Sequence, residues 1–138
     1  EGEIIMLSSK TICTAFGFIF VLVGVIGFTP NPLVSSEGIF ETNAMHNLVH
    51  LFTGSAFLFG GLVLKGKADL TLKTITIAYF GVALLGFFTN GNMLLGMVRI
   101  NEADRWLHLG LALAILVGAW SAVSPQTVGA MRPQNSSS

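Results

Sequence analysis

Apolar residues form four long runs that are separated by short polar or turn-forming segments. The runs cover residues 11–28, 43–64, 72–88 and 104–123. Each is close to the roughly 20 residues that an α-helix needs to cross the hydrocarbon core of a bilayer. Proline, asparagine and glycine punctuate the segments between the runs, as is typical of turns. The pattern predicts four transmembrane helices in one domain, followed by a polar tail at 124–138.

Composition supports a chain that is surrounded by lipid. Of the 138 residues, 52% are hydrophobic and only 10% are charged, against about 25% charged residues in a soluble domain. Seven basic residues balance seven acidic ones, so there is no positive field to attract nucleic acid. The 16 glycines suit close helix packing in a membrane. We therefore expect an all-α integral membrane four-helix bundle, with the lipid bilayer as its partner.

Basic residues concentrate on one predicted side of that bundle. Five basic residues fall on one side, and only Arg99 and Arg105 fall on the other. By the positive-inside rule both termini are expected in the cytoplasm, with the chain in a bacterial inner membrane or a thylakoid. The first run exceeds the roughly 7–15 residues of a signal-peptide core and is interpreted as a retained helix. The short turn at 65–69 predicts that the second and third helices are antiparallel neighbours.

The starts of the second and fourth runs resemble each other. Segments 43–51 and 101–109 both read Asn, six residues, His, Leu. The fourth position is His46 in one segment and Asp104 in the other. This repeat predicts two similar helical hairpins, which are related by a pseudo-twofold axis along the membrane normal.

Polar residues at these two helix starts have a structural interpretation, which we favour. Asn43 and Asn101 can cap helices. Asp104 precedes His108 by four residues and can accept a hydrogen bond from it. Arg105 can pair with an acidic neighbour or extend to the lipid head groups. Asn43, Asn101, Asp104 and Arg105 are therefore predicted to form a structural polar cluster.

Histidines inside membrane segments are costly and suggest a functional hypothesis. A neutral imidazole can ligate haem iron or, by the same donor chemistry, the magnesium of chlorophyll. His50 and His108 are expected at matched depth, where they can face one another across a haem. The predicted cofactor-binding residues are His46, His50, His108 and Asn47.

Two further interpretations use the same residues. His46 and His50 are spaced i, i+4 and, with His108 and Asp104, can make a zinc site. The glutamate of the His-Glu-x-x-His motif is absent, because position 47 is Asn. The second interpretation is a His–Asp–Arg relay that transfers protons or ions. Against it, the predicted bundle lacks charges at the midplane of the membrane, where transporters bind substrate. We predict no catalytic residues, no dedicated metal site and no enzyme.

The motif Asn-x-x-His-Asn-x-x-His-Leu, followed by Thr-Gly, resembles a bacterial family catalogued as domain of unknown function 4383. So does the downstream Asn-x-x-Asp-x-x-x-His-Leu. The resemblance covers about residues 9–123, and it implies a short four-helix membrane protein of a kind common in actinobacteria and cyanobacteria. It supplies no activity. The matching positions are Asn43, His46, Asn47, His50, Gly54, Asn101, Asp104, His108 and Leu109.

A compact chain with no catalytic set and with histidines at helix ends favours a non-catalytic function. We expect a small accessory subunit of a larger membrane complex, of photosynthetic or respiratory type, that contributes histidine to chlorophyll or haem. Its partners are other membrane-protein subunits. The alternative is a small membrane enzyme or transporter that uses the histidine and aspartate cluster for metal or proton chemistry.

Overall fold

The computed structural model describes residues 7–122, and four long helices dominate that part of the chain. The helices are α1 (Ser9–Ile26), α2 (Ala44–Leu58), α3 (Ala68–Phe88) and α4 (Glu102–Ser121). A π-helical turn, Phe59–Val63, continues α2 directly. The prediction of a helical protein with four helices is confirmed. The predicted tail, residues 124–138, lies outside the described residues.

Side chains cap three of the four helices at their first turn. Ser8 Oγ accepts a hydrogen bond from the backbone N–H of Thr11 at the start of α1. Asn43 and Asn101 do the same for α2 and α4, as the structural interpretation of these residues predicts. Such caps satisfy backbone donors that the helix itself leaves unpaired.

The first turn of α3 begins at Ala68, four residues before the predicted start. Asp69 lies in this turn and forms an ion pair of 2.9 Å with Lys73, one turn further along. Asp69 also accepts a hydrogen bond of 3.1 Å from Ser9 of α1. The apolar run starts later than the helix because this first turn is polar and is stabilised by charge pairing.

Short strand pairs occupy the two long connections. Strands β1 (Val34–Ser35) and β2 (Phe40–Glu41) pair in parallel between α1 and α2. Strands β3 (Met93–Leu94) and β4 (Val98–Arg99) pair antiparallel between α3 and α4. Both pairs lie at one end of the bundle, which we call the loop end.

Glycines allow α1 and α2 to pack backbone against backbone. A Cβ atom added at Gly54 of α2 would lie 2.7 Å from the Val21 nitrogen and 2.8 Å from the Gly17 oxygen of α1. Neither atom can move without shifting α1, so only glycine fits at position 54. This close approach makes α1 and α2 a tight antiparallel hairpin.

Helices α3 and α4 form the second hairpin. The rings of Phe87 and Trp106 pack edge to face with centroids 5.0 Å apart. Arg105 of α4 donates a hydrogen bond to the Gly91 carbonyl and another, of 3.4 Å, to the Thr89 carbonyl. Both carbonyls follow the end of α3, so Arg105 ties the start of α4 to it.

The two hairpins exchange equivalent hydrogen bonds at the loop end. Asn43 Nδ2 donates to the Met97 carbonyl at 2.8 Å, and Asn101 Nδ2 donates to the Ile39 carbonyl at 2.8 Å. Each asparagine therefore caps its own helix and also binds the loop of the other hairpin. The reciprocal arrangement places a local pseudo-twofold axis between the starts of α2 and α4.

Residues at equivalent positions meet across this axis. Glu41 and Arg99 are separated by 58 residues, the spacing of the sequence repeat, and form a hydrogen-bonded ion pair of 2.8 Å. The symmetry is local, because the strand pair that carries Glu41 is parallel and the pair that carries Arg99 is antiparallel.

Helices α2 and α3 touch mainly near the turn that connects them. There Gly60 lies directly against the side chain of Thr71. Towards the loop end the two helices bound a cleft of about 600 Å³. The short turn thus makes α2 and α3 antiparallel neighbours at one end. Towards the loop end, Phe20 of α1 and Tyr79 of α3 line the cleft and pack against each other, with ring centroids 5.2 Å apart.

Large apolar side chains cover much of the outer surface of all four helices. Phe52 of α2 is 75% exposed and Phe88 of α3 is 79% exposed. Helices α1 and α3 are long and apolar enough to cross a membrane. The described helices therefore expose much apolar surface, and two of them could span a membrane by length and composition.

Candidate metal centre

Three histidines converge at the loop end. His46 and His50 lie one turn apart on α2, and His108 lies on α4. One ring nitrogen from each of the three lies within 4.8 Å of those of the other two. Three of the four residues predicted to bind a cofactor are therefore brought to one point.

The three imidazole rings also pack on one another. His46 and His50 stack with their centroids 4.8 Å apart and their planes 15° apart. The His108 ring lies 5.3 Å from the His46 ring and 5.6 Å from the His50 ring. His46 and His50 are buried, and all three histidines line one end of the cleft between α2 and α3.

Backbone carbonyls fix which nitrogen of two histidines carries the proton. His46 Nδ1 lies 2.6 Å from the Arg99 carbonyl oxygen, and His108 Nδ1 lies 2.7 Å from the Asp104 carbonyl oxygen. Because a carbonyl oxygen only accepts, Nδ1 is the donor in each ring. In the neutral imidazole the lone pair is then on Nε2, which is the arrangement found in metal-ligating histidines.

The Asp104 carboxylate lies beside both of these donors. Its Oδ1 atom is 3.3 Å from His108 Nδ1, and its Oδ2 atom is 3.7 Å from His46 Nδ1. Asp104 is buried, and Asn101 holds its backbone N–H at 2.9 Å. One carboxylate therefore places its negative charge beside two imidazoles whose Nδ1–H groups donate to backbone carbonyls.

Several buried polar atoms around the cluster have no hydrogen-bond partner among the described residues. Leaving such an atom unsatisfied costs about 1–3 kcal/mol, so each requires an explanation such as a bound ion, ligand or water. Four of them are His50 Nδ1, Tyr79 Oη, Asp104 Oδ2 and Arg105 Nε. Their concentration at one place makes this end of the cleft a candidate binding site.

The nitrogen separation can be compared with that of a formed metal centre. Nitrogen ligands lie about 2.0–2.1 Å from Zn²⁺, which in a tetrahedral site puts them about 3.3 Å from one another. The histidine nitrogens here lie within 4.8 Å. The stacked rings of His46 and His50, whose planes are 15° apart, must reorient before their in-plane lone pairs can point at one ion. A haem offers only two axial positions, so three converging imidazoles match a free ion better.

Asn47, the fourth predicted cofactor ligand, lies on a different face of α2. Its side chain lies against Gly27, which directly follows α1. It is buried, and Asn47 lines a smaller pocket together with Thr42 and Asn43. The structure therefore does not bring Asn47 together with the histidines.

The residues predicted to form a structural polar cluster occupy the edge of the site. Asn43 and Asn101 act as helix caps and bind the opposite loops. Arg105 pairs with Glu102 at 3.3 Å and its Nε atom lies at the cleft. Asp104 is the member that enters the histidine cluster itself.

Tyr79 and Phe20 belong to the site, although the sequence pattern did not select them. The Tyr79 ring lies 5.8 Å from the His108 ring, and the Phe20 ring lies 5.4 Å from the His50 ring. Tyr79 is the only tyrosine of the chain. A single phenol inside a long apolar run was the signal that could have identified it.

The histidine-bearing starts of α2 and α4 both lie within a match to a known family model. The model, described as a domain of unknown function, DUF4383, covers residues 10–121. The chain belongs to the DUF4383 family. No curated protein and no solved structure matches the chain. The chemistry of this DUF4383 protein must therefore be inferred from its own geometry.

Proposed function

We propose that this DUF4383 protein is an integral membrane protein that binds one transition-metal ion through His46, His50 and His108. The observation that carries the proposal is that one ring nitrogen from each of the three imidazoles lies within 4.8 Å of those of the other two. Neutral imidazole suits Zn²⁺, Co²⁺ and related ions and is a poor ligand for Mg²⁺ or Ca²⁺. Three protein ligands leave a fourth position open, as in sites where a metal binds a further small group.

The outward-facing helix surfaces support a membrane location. Exposed apolar side chains occur on all four helices, including Phe18 of α1, Phe52 of α2, Ile77 of α3 and Val117 of α4. A soluble monomer rarely exposes apolar surface on this scale. The lysines lie towards the end opposite the loop end, so the positive-inside rule favours a cytoplasmic side for that end of the bundle.

Reporter fusions test this topology. Alkaline phosphatase needs disulfides and folds only outside the reducing cytoplasm. In a bacterial host, fusions after Glu37 and after Gly96, both in loop-end connections, are expected to be active. A fusion after Gly66, in the turn before α3, is expected to be inactive. Activity at none of the three sites would contradict membrane insertion, and a reversed pattern would contradict the orientation.

Cobalt titration tests the metal centre. The protein, purified in a mild detergent and stripped with chelator, is expected to bind one Co²⁺ per chain. The bound ion is expected to give the intense visible bands of tetrahedral cobalt, and Zn²⁺ is expected to displace it. Mg²⁺ serves as the control and is expected to leave the spectrum unchanged, because it prefers oxygen ligands. Weak or multiple Co²⁺ binding without a tetrahedral spectrum would contradict the proposal.

An accessory subunit that presents histidine to haem or chlorophyll is the second candidate function. The observation that favours it is the apolar cleft of about 600 Å³ beside the histidines, which is within the range of cofactor pockets. Mild-detergent purification from native membranes separates the two candidates. A stoichiometric tetrapyrrole absorbance together with copurifying subunits would favour this second function over the metal centre.

A further inference from the structure

The proposed metal centre has an unbalanced charge. Three neutral imidazoles add no charge to a divalent ion, and the buried Asp104 supplies one negative charge. Arg105 and Glu102 neutralise each other through their ion pair. One positive charge therefore remains in a buried position, where an uncompensated charge is costly. An anion in the open fourth position would remove this cost.

The cleft that meets the histidines is lined mainly by apolar side chains. Val49 and Phe52 of α2 face Ile75 and Val82 of α3 across it. Among the described residues, Asp104 is the only acidic residue that lines the cleft. The rest of the cleft suits an apolar chain rather than a hydrated ion.

The cleft opens on the apolar outer surface. Met45, Val49, Phe52 and Val82 each line it and are each more than a third exposed. In the proposed membrane orientation these side chains contact lipid. A ligand would therefore enter sideways from the bilayer.

The polar end of the cleft offers unused donors. Tyr79 and Arg105 line this end, and the buried atoms Tyr79 Oη and Arg105 Nε have no hydrogen-bond partner among the described residues. Both can donate hydrogen bonds. A carboxylate offers two acceptor oxygens, of which one can bind the metal while the other accepts from Tyr79.

We infer that the cleft binds a long-chain carboxylic acid from the bilayer, with its carboxylate on the metal and its hydrocarbon chain between α2 and α3. This inference rests on the proposed metal centre. The anionic head balances the remaining charge, and the chain occupies the apolar cleft. Hydroxide alone in the fourth position is the competing outcome.

Ligand titration of the Co²⁺-loaded protein tests the inference, because the visible bands report the fourth ligand. Palmitate is expected to shift the bands at a concentration at least about tenfold lower than acetate, since the acyl chain adds buried apolar area. Palmitate methyl ester, which has the chain but no charge, is expected to cause no shift. Equal potency of acetate and palmitate, or no shift with either, would overturn the inference.

A variant that narrows the cleft supplies the second measurement. Ala78 of α3 lines the cleft, and Ala78→Phe is expected to weaken palmitate binding by about tenfold or more. Ala114→Phe is the matched control, because Ala114 is exposed on α4 and lies outside the cleft. Equal palmitate affinity in the two variants would also overturn the inference.

The failures of the two proposals are distinguishable. If Co²⁺ binds in a tetrahedral site and palmitate has no effect, the lipid assignment is wrong and the metal centre stands. If Co²⁺ does not bind to the wild-type protein, the metal centre is wrong and the lipid assignment falls with it.

Discussion

His108→Gln is expected to lower the affinity for Co²⁺ by more than about 100-fold and to abolish the tetrahedral spectrum. Loss of an outer hydrogen-bond partner alone typically costs about 10–100-fold in metal affinity, and His108 is a proposed ligand. Isothermal titration in detergent measures the change. Asp104→Asn, which keeps the shape of the side chain but removes its charge, is expected to fall within the 10–100-fold range, because Asp104 acts through His46 and His108.

Leu107→Met is the matched control for these two variants. Leu107 precedes His108 on α4, is 37% exposed, and does not line the cleft. A volume-conserving change at such a position is expected to leave Co²⁺ affinity unchanged. If His108→Gln and Leu107→Met bound Co²⁺ equally well, His108 would not be a ligand.

Gly54→Ala is expected to destabilise the first hairpin by about 1–3 kcal/mol, the usual cost of overpacking. The added Cβ would meet backbone atoms of Val21 and Gly17 at 2.7 and 2.8 Å, so α1 must move away from α2. Thermal unfolding in detergent, followed by circular dichroism, measures the loss of stability. Because Gly54 is one turn from His50, Co²⁺ affinity is expected to fall as well.

Gly81→Ala is the control for this packing effect. Gly81 lies in the middle of α3 and is exposed, and a Cβ there would meet nothing within 4 Å. Alanine is intrinsically the better helix former, so Gly81→Ala is expected to be neutral or slightly stabilising. If Gly54→Ala and Gly81→Ala destabilised the protein equally, the close contact between α1 and α2 would not explain the effect at position 54.

Local sequence signals predicted the parts of the fold that are themselves local. The apolar runs located the four helices, because each run is read by its own periodicity and length. Asn43 and Asn101 were interpretable as caps, since a cap acts within its own first turn. The repeat of Asn and His suggested the pairing of His50 with His108.

Contacts that depend on distant backbone could not be predicted in this way. The hydrogen-bond partner of His46 is the backbone carbonyl of Arg99. Every residue has a backbone carbonyl, so the sequence does not show which one His46 contacts. In the π-helical turn at Phe59–Val63, Gly60 and Gly61 pack closely against Thr71 and Cys13, which lie on other helices. Asn47 was assigned with the histidines from its place in the motif, although the face it occupies is decided by the packing of α1.

The pseudo-twofold axis between the hairpins has a consequence for what a single hairpin could build. Two identical hairpins related by symmetry would place the same residue at both equivalent positions, giving two histidines or two aspartates in contact. The single chain instead places His46 against Asp104 across the axis, with Oδ2 of the aspartate 3.7 Å from Nδ1 of the histidine. Because the two halves are joined in one chain, they can differ in sequence, so an imidazole and a carboxylate can face each other. A symmetric pair of identical hairpins would place two identical residues there.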